Sequence, residues 1–152
     1  MTIVARNAFP VTQYRVIFGD TDAGGIVYHP RYLELAERGR NEIMRHLGLD
    51  VGHLFAKENY GLALRSCEMK FHTPALFDDL LTIQSSLGKL KAASSTWITK
   101  IKRGPVEICT VTAEIICMDR IRHQPALFPA HVMAAFQAAD TIKTNPVAEV
   151  TS

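Results

Sequence analysis

Asp20, Asp22 and His29, with Gly24 and Gly25 among them, stand in the stretch FGDTDAGGIVYHPRYLELAER (18–38), and an apolar helical period follows at once. Carboxylates placed just before a helix can serve four ends. The plainest is a strand-to-helix turn, with Asp as turn former and Gly supplying positive φ. A second is metal binding. DTDAGG begins like a calcium loop, but Gly24 occupies the fifth position and Arg31 the twelfth, where a bidentate Glu is needed. Asp22 and His29 also lack a partner histidine at helical spacing, so no metal is assigned. A third is phosphate binding, because glycines before a helix expose backbone donors. No G-x-x-x-x-G-K-[ST] or G-x-G-x-x-G occurs, however, and adjacent acids repel phosphate. The fourth is carbonyl chemistry. A carboxylate can act as base or nucleophile, a helix N-terminus can stabilise an oxyanion, and glycines admit a substrate close to the backbone. Carbonyl chemistry uses every unusual residue here, yet residue chemistry alone leaves it standing beside the plain turn.

The elements that must hold this loop are legible from periodicity. TQYRVIFG (12–19) alternates, with Tyr14, Val16 and Phe18 on one face, and predicts a strand. From Pro30 to Leu47, the residues Tyr32, Leu35, Ala36, Gly39, Ile43 and Leu47 recur every three or four positions. That is an amphipathic helix with proline in its first turn. Gly39 on the apolar stripe predicts close packing against another backbone. GLD ends this helix, and VGHLFAKEN predicts a short second one.

Beyond Gly61 the period changes to two. LALRSCEMKF places Ala63, Cys67, Met69 and Phe71 on one face, LLTIQSSL places Leu81, Ile83 and Leu87, and VEICTVTAEIICM places the odd positions from Cys109 to Cys117. ASSTWITKIKR, rich in β-branched residues, ends at a Gly-Pro turn. PAHVMAAFQAA predicts a short closing helix. With no helices between the last four strands, a doubly wound sheet is disfavoured. The expected fold is α+β: an antiparallel sheet of about five strands wrapped around one long helix. One domain over residues 1–140 is expected, with a loose tail over 141–152.

The chain has 152 residues, 47% of them hydrophobic, 21% charged, and a net charge of +2. That suits one packed domain and gives no ground for nucleic-acid binding. No signal peptide is read, and no stretch approaches the roughly 18 apolar residues of a membrane span. Cys67, Cys109 and Cys117 lack C-x-x-C spacing and fall on apolar strand faces, so all three are expected to be core thiols. A cytoplasmic location without membrane insertion is the expectation.

GDTDAGGIVYHPRYLELAERGRNEIMR resembles the hotdog-fold acyl-CoA thioesterases of the 4-hydroxybenzoyl-CoA thioesterase family, and within it the branch associated with the Tol-Pal cell-envelope system. The family pattern D-x-D-x-x-G-x-V-x-[YFH]-x-x-Y is met by Asp20, Asp22, Gly25, Val27, His29 and Tyr32. The resemblance continues through FHTPALFDDLLTI (71–83) and PALFPAHVMAAF (125–136). It implies hydrolysis of an acyl-CoA, short aliphatic or aromatic, with no cofactor. Asp22 would be the catalytic carboxylate, as nucleophile or general base. The backbone N–H near His29 would polarise the thioester carbonyl, and the His29 ring would serve directly or as a packing and substrate contact. Gly25, Val27 and Tyr32 would meet substrate, Asp20 would orient the loop, and Lys89 and Lys91 would hold the phosphates of coenzyme A. Such subunits pair, so a homodimer or homotetramer is implied, with acyl-carrier protein as a possible alternative carrier of the acyl group. The rival readings are a hotdog hydratase or dehydratase and a non-catalytic acyl-CoA or acyl-carrier-protein binding module.

Overall fold

A computed structural model of the chain describes residues 9–143. Its elements run β1 (Thr12–Arg15), a 3₁₀ turn (Phe18–Asp20), α1 (Pro30–His46), α2 (Val51–Ala56), β2 (Tyr60–Phe71), β3 (Leu80–Leu90), β4 (Ser94–Arg103), β5 (Val106–Asp119), β6 (Gln124–Pro125) and α3 (Ala130–Lys143). The strands form one antiparallel sheet ordered β1-β3-β4-β5-β2, with the short β6 beside β5. Helix α1 packs on β3, β4 and β5. The α+β architecture expected from the periods is the one observed.

Helix α1 begins at Pro30 and buries Tyr32, Leu35, Ala36, Gly39 and Ile43 along one stripe. Full burial of each large apolar side chain stabilises by about 1.5–3 kcal/mol. The helix ends at His46, and the chain turns away at Gly48, whose φ is +80°. The Gly48 N–H donates to Arg45 and the Leu49 N–H to Met44. This pair of bonds uses carbonyls that the last turn would otherwise leave open. Gly39 is needed for close approach, but the neighbours are side chains rather than backbone. A Cβ there would lie 2.6 Å from Ser85 Oγ and 2.8 Å from Ile83 Cγ2.

Four expectations change. The first strand stops at Arg15 instead of Gly19, because the Asp20 carboxylate accepts the Ile17 N–H at 2.9 Å and turns the chain. Phe18, predicted inward, is 72% exposed. In β2 the ladder skips Arg65, since Leu64 pairs with Ile115 and Ser66 with Glu114. That bulge reverses the side-chain parity. Leu62 and Leu64 therefore share the core-facing side with Cys67, Met69 and Phe71, and Ala63 does not. Cys67 lies on this edge strand and is exposed, whereas Cys109 and Cys117 are buried as expected. Burial pushes both buried thiols up to about 11. Finally, α3 runs to Lys143, three residues into the segment expected as tail. The remainder of that segment lies outside the described residues.

Candidate active site

The loop of residues 20–29 is tied down from both sides. Asp20 is buried, accepts from the Tyr14 hydroxyl at 3.0 Å, and its backbone carbonyl accepts the Tyr28 N–H at 2.8 Å. The Arg31 guanidinium stands 3.9 Å from its carboxylate. Asp20 thus serves as an anchor and leaves no open face for chemistry. Between Thr21 and Val27 the chain folds back on itself through a β-bridge. The Asp22 N–H donates to Ile26, and the Gly25 N–H to Asp22. Gly25 has φ +80°, where an L side chain is strained.

Asp22 stands at the start of this turn. Its Oδ1 accepts the Gly24 N–H at 2.8 Å. Among the described residues its Oδ2 has no partner, and no cation pairs with the carboxylate. One oxygen is held and the other is open. Asp22 lines a cleft of about 510 Å³ with Ile26, Val27, His29, Tyr32, Phe71, His72, Thr73 and Pro74.

His29 caps α1 without a side-chain capping bond. Its backbone N–H has no acceptor among the described residues, so a free donor stands at the positive end of the helix dipole. Among the described residues the His29 ring makes aromatic contacts and no hydrogen bond, with Tyr28 at 4.9 Å and Phe71 at 6.4 Å between centroids. Tyr32 is buried, and burial raises its phenol above the ordinary value. Its hydroxyl accepts the Ala75 N–H at 3.2 Å, while the Val27 N–H donates to Ala75. Val27 and Tyr32 therefore both fasten the 74–79 turn to the acid loop.

The 74–79 turn is held in its own right. The Leu76 N–H donates to Asp79 at 2.8 Å, and Arg103 Nη1 pairs with the same carboxylate at 2.6 Å. Burial alone would raise the Asp79 pKa, but Leu76 and Arg103 more than offset it and hold the group below its ordinary value. Sequence reasoning singled out neither Asp79 and Arg103 nor the cleft residues His72, Thr73 and Pro74.

Asp22, Gly25, Val27, His29 and Tyr32 come together in one loop–helix unit. Lys89 and Lys91 do not join it. Phe71 lies in a row with Cys109, Ile101 and Ile83 across the sheet. Lys89 is six residues further along β3, about 20 Å at strand spacing. Both lysines lie at the β3–β4 hairpin, level with the middle of β2 and away from the Asp22 cleft of their own chain.

Sheet, central helix and acid loop define a hotdog-fold hydrolase of the thioesterase class. The chain belongs to the thioesterase-like superfamily, whose family model matches residues 16–136. It is 33% identical over 129 residues to the acyl-CoA thioesterase YbgC of Haemophilus influenzae, covering 85% of this chain and 93% of the relative. A probable thioesterase from Bartonella henselae superposes with a TM-score of 0.75 at 35% identity, covering 80% of this chain and all of the other. The DHNA-CoA thioesterase from Staphylococcus aureus, at 15% identity and a TM-score of 0.84, shares the fold over 90% of this chain and 95% of its own.

Proposed function

We propose that the chain hydrolyses an acyl-CoA thioester to the free acid and coenzyme A, with Asp22 as the catalytic carboxylate. The observation that carries this reading is the open Asp22 oxygen in one cleft with the unpaired His29 N–H. A thioester carbonyl seated there would take a hydrogen bond from that N–H. Asp22 either removes a proton from the water that attacks the carbonyl carbon or attacks that carbon itself. In both routes the oxyanion develops where the His29 N–H and the helix dipole favour it. Collapse breaks the C–S bond and releases the thiolate, which takes up a proton. In the nucleophilic route a water then hydrolyses the acyl–Asp22 anhydride, freeing the acid and restoring the carboxylate. YbgC relatives carry the acyl-CoA thioesterase activity in their names, which supports this choice of substrate.

The reading includes a homodimer. Among the described residues, strand β2 is the last in the sheet and bonds only to β5, which leaves its other edge to pair with a second chain. Antiparallel pairing of two β2 strands about their middle sets the Phe71 end of one chain beside the far end of its mate. Lys89 and Lys91 stand apart from the Asp22 cleft of their own chain, so if they hold the phosphates of coenzyme A they do so for a cleft of another subunit.

A panel of aliphatic and aromatic acyl-CoAs, followed by free-thiol release, tests the activity. Turnover of at least one member above the uncatalysed rate is the expected result. Binding of the panel without any thiol release would overturn hydrolysis in favour of a carrier or binding role.

A further inference from the structure

A second cleft, of about 470 Å³, opens between the C-terminal half of α1, helix α2 and the start of β2. Its size is usual for small-molecule sites. Met44, Leu54, Leu62, Trp97 and Phe136 make its walls apolar. Arg40 lines the same cleft, yet it is only 7% exposed. Its Nη1 is fully buried without a hydrogen-bond partner. Arg40 forms no ion pair among the described residues, and burial lowers the pKa of its guanidinium, outweighing the opposite effect of Glu37. Arginine nonetheless stays charged at neutral pH. A buried, unpaired cation is costly, and natural interiors retain one where something compensates it.

The surroundings restrict what that compensation can be. Among the described residues Arg40 is the single basic one lining the cleft, and Glu37 at its rim disfavours a highly charged guest. Ser95 also lines it. Its Oγ accepts the Trp97 indole N–H at 2.9 Å and keeps its own proton to donate. A planar guanidinium fork matches a carboxylate. We propose that this cleft binds an organic acid, its carboxylate on Arg40 and its apolar body along Met44, Leu62 and Trp97. The guest is either a free acid or an acyl group that ends in a carboxylate, and both present the same chemistry to Arg40. The binding site does not depend on the catalytic reading of Asp22.

Trp97, the sole tryptophan of the chain, stands in the cleft wall and reports binding by its fluorescence. The full chain is titrated with octanoate and, as the neutral match, with octanol. Octanoate should bind at least about tenfold more tightly, the scale of one charge-assisted contact. Arg40→Met should erase that preference while melting no lower than the wild type, because it removes an unpaired buried charge. Asp22→Asn should keep the preference, so failure of the thioesterase reading would leave this result intact. In the thiol-release assay, competitive inhibition by octanoate marks the acid end of a bound acyl group, and non-competitive inhibition marks a separate free-acid site. Either pattern upholds the cleft. Equal binding of octanol and octanoate by the wild type, a comparison that needs no variant, would overturn it. So would an Arg40→Met chain that still prefers octanoate.

Discussion

Gly39 is the residue at which one added methyl group would be felt most. Alanine would gain about 1 kcal/mol of helix propensity. Its Cβ, however, would drive into Ser85 Oγ, which is buried and hydrogen-bonded to Thr99 at 2.7 Å. Overpacking of this kind costs about 1–3 kcal/mol. Gly39→Ala should therefore melt below the wild type in a thermal scan, and a raised midpoint would show that α1 has room to move off β3. The stripe carrying Gly39 was plain in the sequence, because a period of 3.6 marks a buried helical face. What lay opposite was not, since Ser85 is a polar residue on a strand face otherwise read as apolar. The acid loop divides in the same way. The spacing of Asp20, Asp22 and His29 drew attention to it, and the family resemblance gave Asp20 the orienting part and Asp22 the chemistry, but residue types alone did not show which acid would be buried and which open. That difference arises from Tyr14 and from the Ile17 N–H, both brought to Asp20 by the fold.

At the level of elements, the turn between β2 and β3 does the positioning. Its carbonyl and N–H at Ala75 hold Val27 and Tyr32, and its Asp79 is clamped by Arg103 on β4. The folded Asp79 carboxyl sits below its ordinary pKa, so its stabilising contribution is present above about pH 4. It is lost as the pH falls through the folded value. Asp79→Asn should consequently melt below the wild type at pH 7, and the gap should narrow by pH 3. A gap of equal size at both values would mean that the ion pair is not its source. FDD (77–79) resembles a turn of the family, but nothing in its residue types showed what the turn holds. Its residues act through backbone groups and a partner in a distant strand, and neither leaves a period. The bulge at Arg65 escaped notice for a related reason: one extra residue reverses parity, while the alternation on either side looks unbroken.

Across the whole molecule, the proposed dimer rests on the edge of β2, which has no further strand beside it among the described residues. If the lysines serve the partner's cleft, Lys89→Ala with Lys91→Ala should raise KM for acyl-CoA and leave kcat nearly unchanged, as expected for uniform binding. The effect should shrink in high salt, where exposed charges are screened. Unchanged KM at low ionic strength would place the nucleotide elsewhere. Sedimentation across a dilution series, run beside the activity assay, should show dimers or larger assemblies and a loss of turnover on dissociation. A fully active monomer would mean that the site is complete within one chain.

The Asp22 carboxylate is the centre of the account, and one substitution addresses it directly. Asp22→Asn preserves size and the capacity of Oδ1 to accept the Gly24 N–H, and it removes the charge. Thiol release from a good acyl-CoA substrate should fall in kcat by at least about a hundredfold, the scale of a lost acid–base or nucleophilic group, with an unchanged melting curve. Near-normal turnover by the folded Asp22→Asn protein would contradict the mechanism.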